Sequence, residues 1–388
     1  MKILHTSDWH LGHTLYNYDR EEEQKDMLRQ MVEIVEKHKP DLFLLAGDIY
    51  HTSQPSSSVI RMFVDAIDAI HKAHPDMTIV ATAGNHDSGT RHEIFSTPWR
   101  DSKIYAIGNL SRDNINDHII SIPGKGYVVA VPYTYERNIP DGFFQQLLNA
   151  VAEMNSENLP VVMTAHTTVK GCDFTGHENT SENTIGGIDS IDIKQMGEGY
   201  DYLALGHIHH AQFVHTGKHN VRYSGTPIAV SFDENYSHTV SLVEIGAHGE
   251  QPTVKEIEIK NIHPLVTLPT EGLASWDEAK KLFAEFPNDI PAYIRLNVEV
   301  DDMLPPNAND EARAIANSKK CKFCIINTKR KERVKTEAKA LSIQEFQAES
   351  PLDIAIHYAN DKNRAFDDEI KDLFNEVIRI INEETRNK

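Results

Sequence analysis

The sequence predicts a layered α/β domain over residues 1–265, a smaller α+β domain over residues 266–335 and a helical tail over residues 336–388. Three observations predict it: apolar runs alternating with helical periodicity, closely spaced prolines where that texture changes, and a charged, helix-like C-terminal stretch. The strand candidates of the first part are Ile3–Thr6, Leu42–Ala46, Thr78–Ala83, Tyr127–Val131, Val161–Ala165 and Tyr202–Leu205. Several are unbroken runs rich in Val, Ile and Leu, as expected for strands buried on both faces. Residues 20–38 place Met27, Met31 and Ile34 with Val35 at helical spacing, and Pro40 marks the exit. A second helix over 57–73 offers Ile60, Phe63, Val64, Ile67 and Ile70. Strands alternating with helices build an α/β layered domain.

Beyond residue 265 the pattern reads Val266–Leu268, a helix at Trp276–Phe286, Ala292–Val300, a helix near 308–318, then Lys322–Thr328. Pro264, Pro269, Pro305 and Pro306 punctuate this β-α-β-α-β unit. From about 342 the chain reads as helical, with Pro351 as a break. Phe366, Ile370, Leu373 with Phe374, Val377 and Ile380 with Ile381 form one apolar stripe. At a terminus, such a stripe suits docking to a partner helix.

Composition narrows the function. With 40% hydrophobic and 25% charged residues, the 388-residue chain has the make-up of a soluble globular protein. No apolar run approaches the roughly 20 residues needed to span a bilayer. The opening strand meets polar Thr6-Ser7-Asp8 at once, so no signal-peptide core is expected and a cytoplasmic location is. Three cysteines, Cys172, Cys321 and Cys324, argue against a disulfide framework. On a strand, Cys321 and Cys324 face opposite sides, and no second pair completes four ligands, so both are read as packing residues. The net charge of −19 argues against gripping nucleic acid over the whole surface, while leaving room for a local positive site.

Among the 21 histidines, a few stand in a telling order. Five short motifs lie at or just after predicted strands: Asp8-Trp9-His10, Gly47-Asp48, Gly84-Asn85-His86-Asp87, His166, and Gly206-His207-Ile208-His209. Ligand sites of parallel α/β sheets lie outside the carboxyl ends of strands, so these motifs can converge in one cleft. Alternate residues of an extended segment face the same way, which pairs Asp8 with His10 and His207 with His209. Carboxylate, amide oxygen and imidazole without thiolate suit Mn²⁺, Fe²⁺ or Zn²⁺ more than a structural zinc cage. Seven donors exceed the needs of one ion. Two ions sharing Asp48 account for all of them: Asp8, His10, Asp48 and His209 for one, Asp48, Asn85, His166 and His207 for the other. With two divalent ions, two Asp carboxylates and a bridging hydroxide as nucleophile, the site is net positive and favours an anionic phosphodiester. His86 stays outside the metal shell, to protonate the leaving oxygen or to bind the non-bridging oxygens. Trp9, between two donors, is expected to face the core.

The order of these motifs resembles that of the calcineurin-like metallophosphoesterases. Further likeness lies in His5-Thr6-Ser7-Asp8-Trp9-His10-Leu11-Gly12, Tyr223-Ser224-Gly225-Thr226-Pro227-Ile228 and Ser231-Phe232-Asp233-Glu234, covering about residues 1–240. The resemblance implies a layered β-sandwich flanked by helices, a small α+β capping domain and a helical tail. Phosphoprotein phosphatases of this superfamily continue Gly-Asp with x-x-Asp-Arg-Gly. This chain instead reads Gly47-Asp48-Ile49-Tyr50-His51-Thr52-Ser53-Gln54-Pro55-Ser56, similar to the DNA-repair nucleases. That branch implies a role for His51 in orienting the phosphate. It also implies two manganese ions, 3′→5′ exonuclease action on duplex ends and endonuclease cutting at hairpins and single strands. The partners it implies are DNA, an ATPase with a long coiled coil that supplies ATP control, and a second copy of the chain. In that branch the capping domain contacts DNA and the C-terminal helices bind the base of the coiled coil. The basic run Lys329, Arg330, Lys331, Arg333 and Lys335 is a candidate phosphate contact. The competing enzymatic reading is a phosphatase or small-molecule phosphodiesterase on the same metal core.

Overall fold

Every residue of the strand Leu42–Ala46 is buried. Alternation sends Phe43 and Leu45 into one core and Leu42 and Leu44 into another, which explains why the run is apolar throughout. The computed structural model describes residues 1–111, 113–176, 190–215, 219–331, 350–361 and 366–386. These fall into two compact units, Met1–Lys329 and Arg330–Lys388.

The first unit is built on two six-stranded sheets. One runs, in spatial order, Thr253–Glu258, Thr239–Glu244, Lys2–Thr6, Leu42–Ala46, Thr78–Thr82, Ile104–Ile107. The other runs Gln212–Phe213, Val221–Tyr223, Tyr202–Gly206, Val161–His166, Gly126–Ala130, Ile119–Ile122. Ile3, Leu44 and Val80 of the first sheet meet Val128, Val162, Tyr202 and Ala204 of the second in the shared core. The outer face of the first sheet packs on the helices Glu21–His38 and Ser57–Ala73 through Met27, Met31, Phe63 and Ile67. The outer face of the second packs on the helix Phe143–Met154. The order of layers is therefore helix, sheet, sheet, helix, a β-sandwich flanked by helices.

Local chemistry sets the helix bounds. Ser56 caps Ser57–Ala73 by accepting from the Val59 amide, and Glu21–His38 ends at Lys39 in the left-handed conformation just before Pro40. The expected strands and helices of the first 265 residues lie within about two residues of their observed bounds. The helix Phe143–Met154 and the strands Thr239–Glu244 and Thr253–Glu258 complete the layers. Trp9 is fully buried against Phe43 and Phe63, as expected.

Leu265–Leu268, Tyr293–Val300 and Lys322–Arg330, all in the same unit but for the last residue, Arg330, form a three-stranded sheet. The helices Trp276–Glu285 and Ala308–Ala316 cover it, around a core of its own that includes Phe283, Ile294, Leu296, Ala312 and Phe323. Cys321 points into that core, whereas Cys324 packs on the cluster of Leu15, Phe232 and Tyr293, so the two face opposite sides as the strand pattern requires. The small sheet is seated on the sandwich by Tyr293, whose hydroxyl donates to Glu23 at 2.5 Å, and by Tyr18, whose hydroxyl donates to the Phe323 carbonyl at 3.0 Å.

The second unit contains the helices Pro351–Asp361 and Asp368–Arg386. Pro351 opens the first of them, at a position where a missing N–H costs nothing. Ile370, Leu373 and Val377 of the apolar stripe are exposed. Arg333, Lys335 and the stretch 342–349 lie outside the described residues, as do the side chains of Ile380 and Ile381. No helix among the described residues is long and apolar enough to cross a membrane.

Candidate metal centre

The strands Lys2–Thr6, Leu42–Ala46 and Thr78–Thr82 run parallel in one sheet, and Val161–His166 and Tyr202–Gly206 run parallel in the other. Asp8 and His10, Asp48, and Asn85 follow the first three strands; His166 ends the fourth, and His207 and His209 follow the fifth. The carboxyl ends of the two sheets meet, and all seven expected donors come together there. The cleft is thus shared between two sheets rather than opened in one.

The donors are aimed differently from the expectation. Asp8, His10, Asp48 and His207 are not in extended backbone; their φ angles are 54°, 44°, 48° and 97°. Such left-handed residues without glycine cost on the order of 1–3 kcal/mol each and persist where the surroundings dictate them. Here the two loops brace each other: the amides of Asp8 and His10 donate to the carbonyls of Gly47 and Asp48, each at 3.0 Å. The Thr226 hydroxyl holds the Asp8 carbonyl at 2.8 Å.

Two glycines leave room for this crowding. A methyl at Gly84 would stand 2.1 Å from the Asp48 carboxylate and 2.2 Å from its amide. One at Gly47 would stand 2.2 Å from the His166 ring, in a backbone with φ of +86°.

Among the described residues three groups of possible donor atoms form, each within 4.8 Å: Asp8, His10 and His209; Asp48, His166 and His207; and His10, His51 and His86, of which only His10 was among the seven expected donors. Asp48 Oδ2 lies 3.8 Å from His10 Nε2 and 3.4 Å from His166 Nε2, between the first two groups. Asn85 Oδ1 is 3.0 Å from both His166 Nε2 and His207 Nδ1. His166 Nδ1 donates to the Ala46 carbonyl at 2.8 Å, so Nε2 of the neutral ring is a bare lone pair facing two oxygens. His209 likewise directs Nδ1 to Glu234 at 2.8 Å, with its Nε2 only 3.1 Å from His10 Nε2. Electron-rich atoms crowded in this way call for cations among them, and the donor set fits two divalent ions.

Protons compete for the same atoms. Burial opposes a charge on His166, but the Asp48 carboxylate outweighs it and pushes the ring up to about 9. Burial likewise opposes ionisation of Asp48, and the neighbouring His166 and His10 rings outweigh it, holding the carboxyl well below the usual range.

His86 reaches the site twice. Its amide donates to Asp48 Oδ1 at 2.9 Å, and its Nδ1 donates to the His51 carbonyl at 2.9 Å. Nε2 is then the ring atom that can exchange a proton with a ligand. The His51 ring stacks on it with centroids 5.7 Å apart, and burial together with His86 lowers the pKa of His51.

Residues 1–211, more than half of the chain, match the calcineurin-like phosphoesterase family. The chain belongs to that family. Its relatives include the SbcD component of the nuclease SbcCD of Bacillus subtilis, 31% identical over 329 residues that cover 78% of this chain and 80% of that one. The SbcD proteins of Rhodobacter capsulatus (30% identical, 72% and 74% covered) and Escherichia coli K12 (26%, 86% of each) match similarly.

Two residues near the centre of this calcineurin-like phosphoesterase were not singled out as site residues by their sequence context. Glu234 holds His209 from 25 residues downstream, and only its place in a stretch of family likeness hinted at it. His13 stands edge-on to His51 with centroids 4.7 Å apart, and burial pushes its pKa down to about 3. Its available signal was its closeness to a donor in His10-Leu11-Gly12-His13.

Proposed function

We propose that this calcineurin-like phosphoesterase is a two-metal DNA nuclease, the SbcD component of a complex with an SbcC-type coiled-coil ATPase. The observation that supports it most is the meeting of two donor groups at Asp48, in a chain whose relatives carry the name nuclease. Asp8, His10, Asp48 and His209 would hold one ion and Asp48, Asn85, His166 and His207 the other, most suitably Mn²⁺ given oxygen and nitrogen donors without thiolate. When bound, such a pair of ions activates water and neutralises charge on a phosphodiester.

The chain's own residues do the rest. His86, anchored through Nδ1, presents Nε2 to exchange a proton with the leaving oxygen. His51, stacked on it, orients the phosphate. Action is 3′→5′ exonucleolytic on duplex ends and endonucleolytic at hairpins and single strands, in a cytoplasmic complex containing two copies of this chain. The small domain contacts DNA, and the apolar stripe of Asp368–Arg386 docks on the partner's coiled coil.

The test is a purified chain loaded with Mn²⁺, assayed on a labelled hairpin duplex and on a chromogenic bis-ester. Cleavage of both is expected. Cleavage of the bis-ester alone would replace the nuclease reading with a small-molecule phosphodiesterase.

A further inference from the structure

Asp233 and Glu234 are adjacent carboxylates that serve different ends of the molecule. Glu234 is 6% exposed, and its Oε1 stands 2.8 Å from Nδ1 of His209. A carboxylate accepts, so Nδ1 carries the proton and Nε2 of the neutral ring turns its lone pair toward Asp8 and His10. The other oxygen accepts from the Val230 amide at 3.2 Å, which pins the carboxylate across its own loop. With Nε2 already 3.1 Å from His10 Nε2, the His209 ring has no room to turn without leaving the donor group.

Asp233 faces the small sheet. Arg295, in the strand Tyr293–Val300, donates to it at 2.6 Å and to the Phe232 carbonyl at 3.1 Å. The same guanidinium lies 5.1 Å over the Phe232 ring. At the other end of the loop, buried Arg20 donates to the Ala229 carbonyl at 2.5 Å and itself lies 5.8 Å from the Tyr293 ring. The loop 229–234 is therefore clamped at both ends by groups that touch the small sheet, and its last residue holds a metal-donor imidazole.

We propose that Glu234 is a positioning residue that aims His209 at the ion held with Asp8 and His10, and that the Asp233–Arg295 pair couples this aim to the seat of the small sheet. The inference rests on the two-ion reading above. It predicts a defect confined to one ion, which a loss of general stability does not produce.

The test uses the full chain, Mn²⁺ titration calorimetry and long-range proton–nitrogen NMR of the histidines. Wild type is expected to bind two ions. Glu234→Ala should lose roughly 10–100-fold in affinity for one ion and keep the other. Glu234→Gln, whose amide oxygen still accepts from Nδ1, should recover most of that loss. His209 should be protonated at Nδ1 in wild type and Glu234→Gln, and lose that fixed tautomer in Glu234→Ala. Arg295→Gln should weaken the same ion by a smaller factor. Unchanged affinity in Glu234→Ala, or equal weakening of both ions without recovery in Glu234→Gln, would overturn the positioning role. Wild-type affinity in Arg295→Gln would overturn the coupling. A wild type that binds fewer than two ions would overturn the two-ion reading instead.

Discussion

The His86 amide donates to Asp48, yet the two residues have different parts in the proposed centre. Asp48 Oδ2 lies between the two donor groups while its Oδ1 accepts the His86 amide. Asp48→Ala should therefore disturb both ions together, and metal analysis showing one ion retained at full affinity would rule out bridging. The proposed proton exchange belongs to the His86 ring, whereas its amide braces Asp48, and alanine removes only the ring. His86→Ala should keep both ions and lose about 10²–10⁴-fold in rate. Loss of an ion from that variant would make His86 a donor, an alternative given weight by its closeness to His10 and His51. The convergence of the seven candidate donors was legible because each has a ligand-type side chain at or just after a strand end. Their left-handed backbone was not. A φ of 54° at Asp8 is dictated by a neighbouring loop about 40 residues away, and no local pattern encodes that.

Elements show the same division between local and distant causes. Glu21–His38 and Ser57–Ala73 were readable because periodicity, a serine cap and a proline exit are all local. The pairing of Lys2–Thr6 with Thr239–Glu244 was not, since it joins segments over 230 residues apart and leaves no mark on either. Nor does alternation reveal which of two sheets a buried strand joins. At the end of the strand Lys322–Arg330, Lys329, Arg330 and Lys331 are exposed. If they contact phosphates, replacing all three with Ala should weaken DNA binding and reduce the magnitude of its log–log salt slope by up to about 3, near 0.9 per contact. A slope equal to that of wild type would leave the run as ordinary solvated surface. The stripe of Asp368–Arg386 makes a separate prediction. Removing residues 342–388 should abolish capture of the coiled-coil ATPase in a pull-down while intrinsic cleavage persists.

The whole molecule depends on two sheets staying pressed together, and His5 reports on that. It lies in their shared layer, fully buried, with Nδ1 2.9 Å from the Tyr202 hydroxyl. Burial, reinforced by the charge of Arg222, lowers its pKa from 6.5 to about 3. Between those values the unfolded chain binds a proton that the folded chain refuses. The stability tied to a neutral His5 is thus complete above about pH 6.5 and is lost progressively as pH falls toward 3. His5→Gln should shrink the stability difference between pH 7 and pH 5 by about 2 kcal/mol, read from urea unfolding with metal chelated. An identical pH dependence in the variant would show that the ring protonates without separating the sheets. The place of Lys2–Thr6 has a consequence in time as well. This strand, which leads into Asp8 and His10, leaves the ribosome more than 230 residues ahead of its partner, and one flank stays open until Thr239–Glu244 arrives. At about 5–20 residues per second, its edge waits roughly 10–50 s for that partner. The nascent chain thus carries four of the seven candidate metal donors, Asp8, His10, Asp48 and Asn85, on an unfinished sheet, where chaperone cover and the timing of metal supply bear on whether the proposed centre forms at all.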